Sequence, residues 1–284
     1  MRNVLNLAPL FINTFPAKWQ VIYINKYSAM SIIQSIVLSI IEGLTEFLPI
    51  SSTGHMILAS SVMHIQEDAF VKTFEISIQI GAIMAIVIQY AKRFLKGISI
   101  YFKLAVAFIP TGIIGILAYP YIKTYLFNST VVAVSLLLGG VILILIDKKV
   151  AEQQPESDVI DNLKYKNVFF IGLFQSISMI PGVSRAAATI VGGIFNGLNK
   201  KQAIEFSFLL AVPTMFIATG YDLIKTNIVF SGHEIFLLSL GLVVAFITAW
   251  FAVKIFIKIV QDYGFKYFGY YRIIIAIIFL IFMK

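Results

Sequence analysis

The chain has 284 residues, 59% of them hydrophobic and 13% charged, about half the ~25% charged fraction of an ordinary soluble domain. With a mean hydropathy of +0.91 and 25 Phe, this excludes a freely soluble protein and makes lipid the main solvent. The net charge of +8 fits Lys- and Arg-rich cytoplasmic loops rather than nucleic-acid binding, and zero Cys leaves chemistry to carboxylates, hydroxyls, Arg and the three His, at 55, 64 and 233.

Residues 1–29 mix Pro9, Pro16, Arg2, Lys18 and Lys26 with scattered aromatics, and the run from Val4 to Phe15 is broken by Asn6, Pro9 and Asn13. That is neither a span nor a signal peptide. The regular pattern starts just after Met30, which is the expected start; the residues before it read as an upstream misreading or a loose extension.

The segment 31–64 is apolar to Leu48, breaks at Pro49 into Ser51, Ser52, Thr53, Gly54 and His55, and resumes for about nine residues. At 1.5 Å per residue that second arm is roughly 13 Å long and cannot cross a ~30 Å hydrocarbon core. Spans follow at about 69–90, 104–120 and 131–147, then a polar linker over 148–165. The segment 166–198 repeats the first design, breaking at Pro181-Gly182-Val183-Ser184-Arg185. Spans at about 202–220, 234–254 and 270–283 complete the chain, the last two with ends the sequence does not define. Both broken segments read as re-entrant hairpins, because irregular backbone at membrane depth is tolerated only inside protein or along a wet cavity.

With hairpins that return to their own side, one face collects Lys92, Arg93, Lys96, Lys103, Lys148, Lys149, Lys164, Lys166, Lys200, Lys201, Lys254, Lys258, Lys266 and Arg272, and the other only Lys72, Lys123, Lys225 and Lys284. The first face is therefore expected to be cytoplasmic. Three intervening spans make the two hairpins enter from opposite sides. The expected fold is an all-α integral membrane protein, a single membrane domain over 30–284. It is an inverted-topology repeat of about six transmembrane helices and two hairpins, with repeat one at 31–147 and repeat two at 166–284.

Intramembrane acids are costly and so are functional candidates: Glu42, Glu46, Glu75 and Glu205. Glu42 and Glu46, spaced i, i+4, share a helix face. Such a pair suits a divalent cation, Mg²⁺ or Ca²⁺ by its oxygen-only ligands, or one raised pKa. The plainer alternative has Glu42 facing water at a cavity mouth. Ser52 and His55, three apart, can share the face of a helix start as nucleophile and base, although the same hydroxyls also suit ordinary capping. Arg185, which this topology makes the only Arg or Lys near the midplane, together with Gly182 and the helix N-terminus at Ser184, reads as a phosphate clamp; pairing with Glu46 or Glu42 alone is the alternative. Glu75 and Glu205 occupy matching places and are expected to hold each hairpin by hydrogen bonds to its broken backbone. His64 and His233, near span ends, read as interfacial.

The stretch Glu42-Gly43-Leu44-Thr45-Glu46-Phe47-Leu48-Pro49-Ile50-Ser51-Ser52-Thr53-Gly54-His55 resembles the first signature of the bacterial undecaprenyl-diphosphate phosphatases, the bacitracin-resistance family. Pro181-Gly182-Val183-Ser184-Arg185, followed by Thr189, resembles the second, and the likeness runs from about Met30 to the end. One departure is that Ala186 and Ala187 follow Arg185 where the family usually has Ser-Gly or Ser-Ala. The resemblance implies hydrolysis of undecaprenyl diphosphate to the monophosphate and phosphate, at the outer side of the cytoplasmic membrane, recycling the carrier lipid for cell-wall polymers and giving bacitracin resistance. The expected catalytic residues are Glu46, Ser52, His55 and Arg185, with Ser51, Thr53, Gly182, Ser184 and Thr189 around the substrate and the cation on Glu42 and Glu46. Expected partners are the polyprenyl diphosphate and membrane lipids, without nucleic acid; a homodimer is compatible with this. Attack by Ser52 with His55 assisting and attack by metal-activated water both suit these residues. The rival from another class is a transporter or flippase of a polyprenyl phosphate lipid.

Overall fold

The computed structural model describes residues 30–126, 128–149, 159–225 and 230–282. The segment 1–29 and residues 150–158 of the 148–165 linker, on which the sequence carries expectations, lie outside the described residues. Among the described residues all regular structure is helical.

Helix α1 (Ile32–Thr45) starts at a capping box: Ser31 Oγ accepts from the Gln34 N–H at 3.3 Å, and Gln34 Oε1 accepts from the Ser31 N–H at 2.8 Å. The chain breaks over 46–51 and resumes as α2 (Ser52–Val62). Asp68 caps α3 (Ala69–Gln89), its Oδ1 accepting from Phe70 and Val71 N–H at 2.7 and 3.2 Å. A short α4 (Ala91–Leu95) leads to α5 (Ser99–Tyr125) and α6 (Ser129–Lys149). After α7 (Val159–Asn162), α8 (Tyr165–Ser176) tightens into a 3-10 turn at Ile177–Met179, breaks over 180–184 and resumes as α9 (Arg185–Phe195). The remaining helices are α10 (Lys200–Lys225), α11 (Gly232–Tyr263) and α12 (Lys266–Phe282).

Among the described residues five helices, α3, α5, α6, α10 and α11, are long and apolar enough to cross a bilayer. The chain is a multi-pass membrane protein. The sixth expected span, α12, has 17 described residues, about 26 Å at 1.5 Å per residue. Apolar side chains face outward on other helices too: Ile33 is 74% and Ile116 81% exposed, the reverse of a soluble core pattern and the expected result when lipid is the outer solvent. Both breaks fall where the sequence places them, and each short arm, α2 and α9, has 11 residues. Several helices outrun their hydrophobic stretches. α11 continues from the expected 254 to Tyr263, where Gly264 at φ 76 ends it. Lys254, at the expected end, holds its ammonium 5.0 Å from the centre of the Trp250 ring, so charge at a span end is accommodated without ending the helix.

α1 lies against α11 and α8 against α5, while α3 packs on α10 and α6 on α12. In lipid, such contacts rest on close backbone approach more than on hydrophobic burial. Gly43 and Gly172 supply it for the two long hairpin arms: a Cβ on Gly43 would lie 2.6 Å from the Ala245 carbonyl oxygen, and one on Gly172 2.0 Å from that of Ala107. Beneath the breaks sits an aromatic core of Phe47, Phe206, Phe208 and Phe256, all buried, with Phe47 and Phe208 edge to face at 5.7 Å.

Candidate active site

The last turn of α1 carries Glu42, Glu46 follows one turn on as its C-cap, and both are buried. After the turn over 47–50, Ser51 adopts φ 71, the left-handed region that an L side chain rarely enters. Its Oγ accepts from the Gly54 N–H at 3.4 Å and caps α2. Ser52 then opens the helix facing back toward α1, and its hydroxyl donates a short hydrogen bond to Glu46 Oε2.

The second break is built the same way. Gly182 sits at φ 91, and a Cβ there would lie 2.6 Å from the Val132 carbonyl oxygen, so only glycine fits. Ser184 at φ 70 caps α9, accepting from the Ala187 N–H at 3.2 Å. Arg185 follows as the first helical residue. Its Nη2 donates to Glu46 Oε1 at 3.2 Å, its Nη1 to the Ser207 carbonyl at 3.2 Å, and its guanidinium carbon lies 5.6 Å from the centre of the Phe47 ring. Glu46 therefore joins the two breaks, one oxygen on Ser52 and the other on Arg185. Glu42 Oε1 and Arg185 Nε are buried without a hydrogen-bond partner among the described residues. An unpartnered acceptor and an unpartnered donor beside one carboxylate are what an absent anionic ligand and a cation would satisfy.

The remaining candidates are disposed less uniformly. His55 is not bonded to Ser52. Its Nδ1 lies 2.7 Å from the Ser51 carbonyl oxygen, which can only accept, so Nδ1 carries the proton. Its Nε2 lies 2.7 Å from the Tyr271 hydroxyl, with the two rings parallel to within 2°. The group placed to take a proton from Ser52 is Glu46. Thr53 is exposed. Thr189 is fully buried, its hydroxyl donating to the Arg185 carbonyl at 2.9 Å and meeting Ser207 Oγ at 2.6 Å, so it ties α9 to α10. Ala186 and Ala187 are also buried in α9.

Three expectations change. Glu205 does not reach a break but pairs with Arg93. Glu75 leaves Oε1 buried and unpartnered among the described residues, and its carboxylate meets the Ser60 side chain on α2 rather than the backbone of the break. The third change is Arg272. Charge counting assigns it to the cytoplasmic face and leaves Arg185 alone at depth, yet Arg272 is 0% exposed and donates to the carbonyls of Pro49, Gly182 and Val183 in the two breaks. The signal for it was length: the apolar run after it, 273–282, spans only about 15 Å, so any crossing there has to contain Arg272.

For a divalent cation the donor set fits. The buried, unpartnered Glu42 oxygen lies one turn from Glu46, and Mg²⁺ is commonly held by one or two carboxylates with substrate phosphates and water completing the shell. Among the described residues no group of three or more His, Cys, Asp and Glu is placed to hold a metal unaided, so such an ion would be shared with the substrate.

The family described as bacitracin resistance protein BacA matches residues 35–278. The undecaprenyl-diphosphatase of Wolinella succinogenes is 50% identical over 254 residues, covering 89% of this chain and 99% of that protein. That of Bdellovibrio bacteriovorus is 52% identical over 252 residues, 89% and 96% of the two chains, and that of Aquifex aeolicus 50% over 247 residues, 87% and 96%.

Proposed function

The chain belongs to the bacitracin resistance protein BacA family, and from that membership and the meeting of the two breaks we propose that it is an undecaprenyl-diphosphatase. It hydrolyses undecaprenyl diphosphate to undecaprenyl phosphate and inorganic phosphate, which recycles the carrier for cell-wall polymers and confers resistance to bacitracin. The activity named for its relatives favours this enzyme over a lipid transporter.

The protein sits in the bacterial cytoplasmic membrane with its Lys- and Arg-rich face inside and its site open to the periplasmic side. Its two halves, 31–147 and 166–284, form an inverted repeat with re-entrant hairpins. The exchanged packing of α1 on α11 and α8 on α5 supports this, as do the twin serine caps at φ 71 and 70.

The observation that carries the mechanism is Glu46 holding Ser52 and Arg185 at once. The diphosphate enters with its terminal phosphoryl against Arg185, whose unpartnered Nε supplies a donor, and against the first N–H groups of α9. Ser52 Oγ attacks the terminal phosphorus, its proton passes to Glu46, and the bond to the bridging oxygen breaks with undecaprenyl phosphate leaving. Water then attacks the phosphoserine, returning a proton to Ser52 and releasing phosphate. His55, oriented by Ser51 and Tyr271, lines α2 beside the nucleophile. A divalent cation on Glu42 and Glu46, when bound, supplies charge neutralisation for the diphosphate. Phosphate release from a polyprenyl diphosphate by purified protein, in detergent and in liposomes, tests the reading. Release is expected from wild type, suppressed by chelator and lost in Arg185→Ala; no release above protein-free controls refutes it. Activity that survives chelation removes only the cation.

A further inference from the structure

Arg272 stands in the middle of α12 with all five of its N–H donors spent on main-chain carbonyls. Nη1 donates to Pro49 at 3.0 Å and Val183 at 3.1 Å, Nη2 to Gly182 at 2.9 Å and Ser135 at 3.0 Å, and Nε to Leu136 at 3.2 Å. The side chain is 0% exposed. The first of these carbonyls belongs to break one, the next two to break two, and the last two to α6.

We propose that Arg272 is a positioning residue for the hydrolysis: by binding the carbonyls of both breaks at once it sets the separation between Ser52 and Arg185. The proposal rests on the phosphatase reading above. Pro49 lies three residues before Ser52, and Val183 two before Arg185, so a shift at either carbonyl is carried directly into the start of α2 or α9. Carbonyls at a helix break have no intrahelical partner, and in a dry interior something must satisfy them. A planar guanidinium does this for two chain segments with one rigid fork; a lysine ammonium offers three donors from a single point.

The surrounding sequence is shaped for it. A Cβ on Gly139 would lie 2.2 Å from Arg272 Nη2, and one on Gly140 2.7 Å from the Gly269 carbonyl oxygen. The close α6–α12 crossing thus leaves a slot for the guanidinium that any larger residue at 139 would fill. Glu46 ties the breaks through side chains and Arg272 ties them through the backbone. The first tie has to yield when Arg185 turns to the phosphate; the second has no ligand to answer to and stays. An ångström of misplacement between reacting groups can lower a rate on the order of 10²-fold.

The test compares wild type with Arg272→Lys, Gly139→Ala and Gly81→Ala in one detergent, measuring kcat, KM and the thermal midpoint of each. Gly81→Ala is the structural control: its Cβ would lie 2.3 Å from the Leu242 carbonyl oxygen at the α3–α11 crossing, so it strains the bundle without touching Arg272. The expected result is a kcat lowered about 10- to 100-fold in Arg272→Lys, with KM within threefold of wild type at a temperature where the protein is folded. Gly139→Ala loses kcat in the same direction, and Gly81→Ala loses thermal midpoint but keeps kcat within twofold. Wild-type kcat in Arg272→Lys or Gly139→Ala overturns the proposal, as does a kcat that follows the midpoint equally in all three. If Arg272→Lys does not fold, Gly139→Ala against Gly81→Ala decides by the same criteria. Absence of phosphate release from wild type instead refutes the phosphatase reading, which separates the two failures.

Discussion

Glu46→Gln replaces one acceptor by a donor at a residue that must accept twice. In the structure Glu46 Oε2 takes the Ser52 hydroxyl and Oε1 takes Arg185 Nη2 at 3.2 Å, with Glu46 only 7% exposed. An amide offers one oxygen, so either Ser52 or Arg185 must face an N–H. Losing a charge-assisted hydrogen bond costs about 1.5–3 kcal/mol, and stranding the buried arginine brings the total toward about 3–5 kcal/mol. The Ser207 carbonyl at 3.2 Å and the Phe47 ring keep Arg185 partly satisfied, which places the stability loss at the lower end, about 3 kcal/mol. The kinetic loss is larger, because the variant has no base for Ser52: general-base catalysis contributes roughly 10²- to 10⁴-fold. Initial rates of phosphate release in detergent, over a range of substrate and Mg²⁺, are expected to show kcat down at least about 10²-fold at saturating Mg²⁺, with more Mg²⁺ needed for half-maximal rate, since one of its two carboxylate ligands has gone. A kcat within tenfold of wild type, or one restored by raising Mg²⁺ alone, would show that Glu46 is not the base.

Tyr271→Phe keeps the ring parallel to His55 but removes the hydroxyl 2.7 Å from Nε2. One net hydrogen bond is worth about 0.5–1.5 kcal/mol to the fold, so the thermal midpoint is expected to fall by a few degrees, and an unchanged midpoint would show that this contact does not hold α2 to α12. Glu205→Gln breaks the pair with Arg93, in which both side chains are about one-fifth exposed. Both side chains are mostly buried, so leaving Arg93 without this carboxylate costs about 1.5–3 kcal/mol, more than a surface pair, and the thermal midpoint is expected to fall by several degrees. Phosphate release stays within twofold of wild type; a larger loss of activity would place this pair in the reaction.

What the sequence disclosed follows from the expense of polar groups in lipid. Pro49 and Pro181 interrupt apolar runs whose remainders are too short to cross, which locates both breaks; Glu42, Glu46, Ser52 and Arg185 stand out because each would be costly there without a partner. Reading charge by its position in the chain is where this fails. Arg272 lies near a predicted span end and so counts as a loop charge, although the span has to contain it. Arg93 is counted in the same way, and its partner Glu205 is 112 residues distant. His55 falls within reach of Ser52 by spacing alone, yet the ring turns to Tyr271, 216 residues away, a contact that only the packing of α12 on the rest of the bundle creates. Pairings across the fold have no local signature, so the site's members were visible and several of their partners were not.

The most direct test of the account is a rapid-quench experiment with polyprenyl diphosphate labelled in its terminal phosphorus, followed by digestion of the protein. The label is expected on the peptide containing Ser52 within the first turnover, with Ser52→Ala neither labelled nor releasing phosphate. Phosphate release that never labels Ser52 and is undiminished in Ser52→Ala would contradict it.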